Sequence, residues 1–322
     1  MARPKYGKSD AKAAAKELLH GIIPGPTLPI NPDGSIDEAG YRHNVRHSVD
    51  VIGSPALYIN SYYQNFWLLT SDDRKRVLEI ALDEVGGRVP IINRCAHQSP
   101  HEAIRLALHA QEAGADFISL IIPTFGSDRD ILFGFFTMIA KEIELGITIF
   151  NTTQAGYSLD PDTFAELAQI PNVCALKNGM PLAHTARIRE LVGDEIVVVD
   201  PDEENAIENL KAGQQAIFTA TNTMYDSATA QPMRTYYEAG LAGDLETARR
   251  GFDEMQPIRD VHHRWVLEPW HRDGVCPIAT VKFWNGEMGM VGGPAPFPLP
   301  QMAEQDKEKL HEELVSVGLV AG

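Results

Sequence analysis

Apolar and polar positions along this chain follow two alternating periods. Eight short runs are almost continuously apolar: GIIPGPTL (21–28), ALYIN (56–60), VPIINR (89–94), DFISLII (116–122), GITIFN (146–151), VCALK (173–177), EIVVV (195–199) and QAIFTA (215–220). Between them, apolar residues recur every three or four positions, the spacing of helices with one buried face. Start and stop signals bracket these stretches. Thr70-Ser71-Asp72-Asp73 opens RKRVLEIALDEV, and Ser99-Pro100 opens HEAIRLALHAQEAG with Gly114 as its stop. Asp160-Pro161 opens DTFAELAQ, and Asp200-Pro201 opens DEENAIENLKAG with Gly213 just past its end. Side-chain oxygens satisfy the first free amides of a helix, and glycine adopts the left-handed turn that ends one.

Short apolar strands alternating with helices predict parallel strands covered on their outer face. Eight evenly spaced units predict an α/β fold, a (β/α)8 barrel of about 250 residues. A doubly wound open sheet would give the same alternation, and the even spacing of eight favours the barrel. The expected organisation is an N-terminal helical arm over 1–20, the barrel over 21–230, and a helical region over 231–322 packed on it. That last region reads as MRTYYEAGLAGDLETARRGFDEMQ, then IRDVHHRWVLEPW, then a helix over 301–317.

Composition narrows the function. The 322 residues carry a formal net charge of -16, which disfavours a broad basic face for nucleic acid or anionic membrane. No apolar run approaches the roughly 18 residues of a membrane span. The first residues lack the apolar core of a secretory signal. Cys95, Cys174 and Cys276 are far apart, with no CxxC spacing, so neither a zinc site nor a disulfide framework is expected, and a reduced cytoplasm is the expected compartment. The histidines of HHRWVLEPWHRDG (His262, His263, His271) have no carboxylate or cysteine completing a metal-ligand spacing. "MVGGPAP" lacks the strand and helix that a dinucleotide-binding glycine loop requires.

In a barrel of this kind, chemistry sits at the carboxyl ends of the strands. Lys177 closes the sixth apolar run, followed by Asn178-Gly179. Burial disfavours the charged form of an amine. A neutral amine at pH 7 can attack a ketone and form an imine, an electron sink for the adjacent carbon. The plainer reading is a lysine that snorkels to water or pairs with a carboxylate.

The order of motifs resembles the dihydrodipicolinate synthase and N-acetylneuraminate lyase superfamily of class I aldolases, from about residue 19 to 320. GIIPGPTLPINPDGSIDEAGYRHNV is similar to that family's opening strand, turn and first helix, and HEAIRLALHAQEAGADFISLIIP to its GAD segment. NLKAGQQAIFTATN resembles its eighth-strand segment, and VKFWNGEMGM with GGPAPFPLP its C-terminal helices. NVCALKNG resembles the strand carrying the Schiff-base lysine, which maps onto Lys177. The resemblance implies a lyase acting on a 2-oxo acid such as pyruvate, with no cofactor beyond the covalent imine, and a homotetramer.

The departures from the family pattern are informative. Where the family has GTTGE after the second strand, this chain has Ser61-Tyr62-Tyr63-Gln64-Asn65. The two small hydroxyls that hold the substrate carboxylate are gone, although backbone N–H groups there can still bind one. The relay tyrosine of the fifth strand falls on Phe150, which has no proton to give. The following loop, Thr152-Thr153-Gln154-Ala155-Gly156, lacks the family's arginine, and the aromatic pair after the fourth strand reads Thr124-Phe125. The chain is therefore not expected to make dihydrodipicolinate. Tyr62 or Tyr63 is expected to move protons in place of the relay, and Ser61, Asn65, Phe150, Asn222 and Tyr225 to contact substrate; the alternative is that the two phenols simply pack in the mouth. The lone loop histidine His97 reads as structural or solvated.

The rim is rich in rings: Tyr62, Tyr63, Phe66, Trp67, Phe125 and Phe150. Such a wall suits a ligand with an apolar or aromatic body, unless the rings are barrel packing or subunit interface. The expected reaction is aldol cleavage or condensation between a 2-oxo acid and an apolar or aromatic aldehyde, similar in type to the family's hydratase-aldolases. The alternatives are a sugar-acid dehydratase using the same imine, and a non-catalytic ligand-binding member.

Overall fold

A computed structural model of the chain describes residues 5–126, 128–152 and 155–321. Each of the eight apolar runs contains a strand: β1 (Gly21–Ile22), β2 (Leu57–Ile59), β3 (Ile91–Arg94), β4 (Phe117–Ile121), β5 (Gly146–Asn151), β6 (Val173–Asn178), β7 (Val197–Val199) and β8 (Ala216–Ile217). Strands β2 to β7 pair in sequence order, all parallel, and β1 pairs with β8. The amide of Tyr58 donates to the carbonyl of Pro24, carrying β2 onto the β1 segment. The result is an α/β barrel. β1 is far shorter than its apolar run because Pro24 and Pro26 have no N–H for a ladder.

The covering helices are α2 (Glu38–Arg46), α3 (Ser71–Val85), α4 (Pro100–Ala113), α5 (Arg129–Glu142), α6 (Pro161–Leu167), α7 (Leu182–Val192) and α8 (Ala206–Lys211). Their ends follow the local signals. The Asp73 amide donates to Thr70 Oγ1 and the Thr70 amide to Asp73 Oδ2, both at 3.1 Å, closing a reciprocal cap on α3. Gly114 ends α4 at φ +101°, where a β-carbon would be strained. One start differs from its signal. Asp200 does not cap a helix; its carboxylate accepts the side-chain amides of Asn205 and Asn209, both at 3.0 Å. Asp202 caps instead, and the chain makes a 3-10 turn (Glu203–Asn205) before α8.

The N-terminal helix α1 (Ala11–Leu18) closes the amino end of the barrel. Its Ala11, Ala14 and Ala15 pack with Tyr58, Phe117, Cys174, Val197 and Phe218 from the barrel interior. Small side chains are what allow a helix so close. After β8 come α9 (Asn222–Tyr225), α10 (Pro232–Leu241), α11 (Leu245–Glu254), α12 (Gln256–His262), a π-helical turn (His263–Leu267), α13 (Glu268–Asp273), α14 (Ile278–Glu287) and α15 (Glu304–Ser316). The stretch expected as one helix over MRTYYEAGLAGDLETARRGFDEMQ breaks into α10 and α11 at Gly243, φ +86°. These helices have their own apolar core around Tyr236, Tyr237, Val266 and Trp284. Among the described residues, no helix is long and apolar enough to cross a membrane.

Candidate active site

A cavity of about 250 Å³ opens at the carboxyl ends of the strands, and Lys177 lines it. In the sheet, Lys177 of β6 stands directly beside Phe150 of β5. Its ammonium nitrogen lies 4.5 Å from the centroid of the Phe150 ring and 5.7 Å from that of Tyr58. The Lys177 side chain makes no hydrogen bond or ion pair with any described residue. Burial against these rings, with a lesser push from Arg94, lowers its pKa to about 7. A large fraction of the amine is therefore neutral at physiological pH. The snorkelling and ion-paired alternatives are not what the structure adopts.

The loop after β2 is held as a rigid arch. Asn60 and Asn65 both take left-handed backbone angles, φ 56° each, which asparagine tolerates better than most residues. Between them Tyr62–Gln64 forms a 3-10 turn. Gln64 fixes it from beneath: its amide nitrogen donates to the Pro26 carbonyl at 2.7 Å and to Tyr41 Oη at 3.0 Å, while its oxygen accepts the Ser61 N–H at 2.8 Å. Ser61, Tyr62 and Tyr63 line the cavity as expected, with Phe150 and Tyr225. Asn65 and Asn222 are not among the lining residues. Asn65 turns the buried end of the arch; Asn222 faces a separate small cavity with Gly21, Ser54 and Tyr237. His97 and Phe125 also lie elsewhere: the His97 ring accepts the Ser99 N–H at 3.0 Å, and Phe125 is half exposed against Phe135. Thr153 and Gln154 of the loop after β5 lie outside the described residues.

Both phenols sit well above their ordinary pKa because they are buried, Tyr62 at about 12. They are protonated at neutral pH and can donate. Tyr62 stacks on Trp270 at 5.2 Å with 16° between the planes, and meets Trp67 at 4.2 Å with the rings tilted by 41°. Trp270, Leu267 and His262 come from the C-terminal helices, so that region supplies one wall of the cavity.

Five titratable lining residues escaped the sequence reading as functional groups: Arg94, Asp202, Glu203, Glu204 and His262. Asp202 keeps an edge in solvent, yet its carboxyl is pushed up to about 6, first by the protein around it and then by Asp200, Glu204 and Glu203. Glu203 is locked in a two-pronged ion pair with Arg259, both contacts 2.8 Å, and accepts Tyr236 Oη at 2.6 Å. His262 is buried and held neutral, its pKa lowered to about 3. Arg94, at the end of β3, is buried at 1% exposure.

The chain has recognisable relatives. A model of the dihydrodipicolinate synthetase family matches residues 18–316. The chain belongs to that family. The 4-hydroxy-tetrahydrodipicolinate synthase of Methanopyrus kandleri is 29% identical over 307 residues, 94% of this chain and 97% of its own length. That of Alcanivorax borkumensis is 28% identical over 306 residues, 94% of this chain and 99% of its own. Among solved structures, dihydrodipicolinate synthase from Aquifex aeolicus matches with a TM-score of 0.82 at 22% identity, covering 94% of this chain and 100% of its own. CdNal from Clostridium difficile, in complex with mannosamine, matches at 0.82 with 19% identity, covering 92% and 99%. The structural likeness establishes the barrel. Membership in the dihydrodipicolinate synthetase family makes the chain a lyase of the class I aldolase type, which works through a lysine imine and uses no separate cofactor.

Proposed function

We propose that Lys177 is the imine-forming residue, that its substrate is a 2-oxo acid such as pyruvate, and that the carbon–carbon bond made or broken joins it to an apolar or aromatic aldehyde. The observation carrying this reading is the Lys177 amine, uncharged enough to attack and set beside the Phe150 and Tyr58 rings in the cavity. The amine adds to the ketone carbon and water leaves, giving an iminium. In the cleavage direction a base takes the proton of the β-hydroxyl, the C–C bond breaks, the aldehyde departs, and the electron pair moves onto the iminium to give an enamine. Protonation of that enamine and hydrolysis return the 2-oxo acid and the free lysine. Where the substrate is an enone, addition of water to its double bond supplies the β-hydroxyl first.

Tyr62 and Tyr63 are the proposed donors for these protons, and Asp202, which lines the same cavity, has a carboxyl pushed up to about 6. Tyr62, Tyr63, Leu267 and Trp270 form an apolar wall fitted to an aromatic aldehyde. The first amides of the Tyr62–Gln64 turn have no partner inside the turn and are available to a substrate carboxylate.

The carboxylates of Asp202, Glu203 and Glu204 favour a second reading, a dehydratase that expels water from a sugar acid through the same imine. A homo-oligomer is also proposed, supported by exposed Phe125, Ile131 and Phe133 at and before α5; light scattering above the 35.5 kDa chain mass would bear it out.

The test of the leading reading is intact-mass spectrometry after pyruvate and sodium borohydride, on wild type and Lys177→Ala. A lysine-dependent adduct is expected, followed by turnover of aryl aldehydes with pyruvate. No adduct from folded wild type, with pyruvate or bulkier 2-oxo acids, overturns it. Release of water from sugar acids without aldehyde would favour the second.

A further inference from the structure

A buried guanidinium normally has a carboxylate beside it. Arg94 does not. Among the described residues no carboxylate ion-pairs with it. Its Nη2 donates to Tyr58 Oη at 3.2 Å, and Tyr58 Oη in turn donates to Ser119 Oγ. Its Nε and Nη1 are buried with no hydrogen-bond partner among the described residues. The rest of its surroundings are π-faces: the guanidinium carbon lies 4.6 Å from the Phe66 centroid, 5.2 Å from Tyr58 and 5.5 Å from Phe150. Rings of this kind tolerate a cation without neutralising it.

Two of those rings, Tyr58 and Phe150, also carry the Lys177 amine. The guanidinium and the amine thus line one cavity floor over shared rings. Arg94 is firmly placed: Arg74 Nη2 donates to its carbonyl at 2.8 Å and Arg74 Nη1 to that of Ala96 at 3.1 Å. An arginine fork with unspent donors, held by strand and brace, is shaped for a planar carboxylate. A 2-oxo acid has its carboxylate on the carbon that the lysine attacks.

We propose that Arg94 is the counter-ion of the substrate carboxylate, and that it selects 2-oxo acids over neutral ketones in this cavity. It takes over the task for which Ser61-Tyr62-Tyr63 lacks the side chains, alone or together with the amides of that turn. The role rests on the Schiff-base reading of Lys177. It also gives the guanidinium a second effect, since a bound carboxylate neutralises the cation that helps keep the lysine uncharged.

The experiment titrates pyruvate and methyl pyruvate into wild type, Arg94→Lys and Arg94→Met, traps with borohydride, and reads the adduct by intact mass. Wild type is expected to half-saturate at a pyruvate concentration about ten- to hundredfold below that for the ester, the range of a charge-assisted pair. In Arg94→Met the ratio should collapse to about threefold or less with the ester still trapped, and Arg94→Lys should lie between. A wild-type ratio kept by Arg94→Met overturns the proposal and leaves the lysine reading intact. A folded wild type that traps neither compound removes the lysine reading itself. As a check independent of folding in the arginine variants, Lys177→Ala should be thermally stabilised by pyruvate and not by its ester; equal shifts would overturn the carboxylate role.

Discussion

Arg94 and Lys177, on strands β3 and β6, hold their cationic heads over the same two rings, Tyr58 and Phe150. Burial against the rings is the larger cause that lowers the pKa of the Lys177 amine to about 7, and the nearby charge of Arg94 adds to it.

This pairing sets the pH dependence of the first chemical step. With Lys177 near 7, imine formation should rise as pH increases through about 6 to 8 and level off above, because the attacking form is the free base. An ordinary lysine, near 10.4, would still be climbing at pH 9. Rapid-quench borohydride trapping across that range checks it. Phe150→Ala, which lets water reach the amine, should move the midpoint upward by about one pH unit or more; an unchanged midpoint would show that the ring does not control the lysine.

The same burial destabilises the fold. The folded-state pKa of Lys177 lies below its unfolded value of 10.5, so between about 7 and 10.5 the unfolded chain binds more protons and stability rises with pH. Lys177→Met should therefore be inactive and more stable at pH 7, by up to a few kcal/mol, because each pH unit separating the folded and unfolded values is worth about 1.4 kcal/mol. The advantage should shrink toward pH 10. Denaturant titrations at the two pH values read the difference directly, and a variant less stable than wild type at pH 7 would contradict the account.

Tyr62 has two separable jobs. Its ring stacks on Trp270 and packs against Trp67, and its hydroxyl is the proposed proton carrier. Tyr62→Phe keeps the stack and should leave pyruvate trapping within about twofold while lowering turnover about 10²- to 10⁴-fold, the usual range for an acid–base group. Should the loss appear in Tyr63→Phe instead, the relay belongs to the neighbouring ring.

The wall after β7 is tied down by Glu203 and Arg259, both buried. Arg259→Met leaves the Glu203 carboxylate buried without its cation and should cost about 3–5 kcal/mol in chemical denaturation. Adding Glu203→Gln should recover part of that loss, because the stranded charge is what makes the single change expensive. A loss below about 1 kcal/mol for the single variant would mean that water reaches the pair.

Much of this protein follows from its amino-acid sequence alone. The apolar runs locate all eight strands because a strand buried on both faces has no room for polar residues, and the order of runs and helices then leaves few topologies. Thr70 and Asp160 mark helix starts because capping is local, and Pro100 marks one because its fixed φ suits the first turn. Lys177 stands out for the same reason: a cation ending an apolar run is odd wherever it occurs. Arg94 ends the VPIINR run in the same way, and that signal could have found it. Its significance lies in the absence of a counter-ion among the described residues, which is a fact about space. Only the folded barrel brings β3 beside the amine of β6, puts Phe150 between two cations, and carries Trp270 and His262 from beyond residue 231 into the cavity wall. It also removes Asn65 and Asn222 from the lining, since a loop's backbone angles and a helix's rotation decide which side chains reach the cavity. Local propensity writes the elements, and the charge and burial that tune the lysine arise from side chains distant in sequence, where desolvation acts through distance in space.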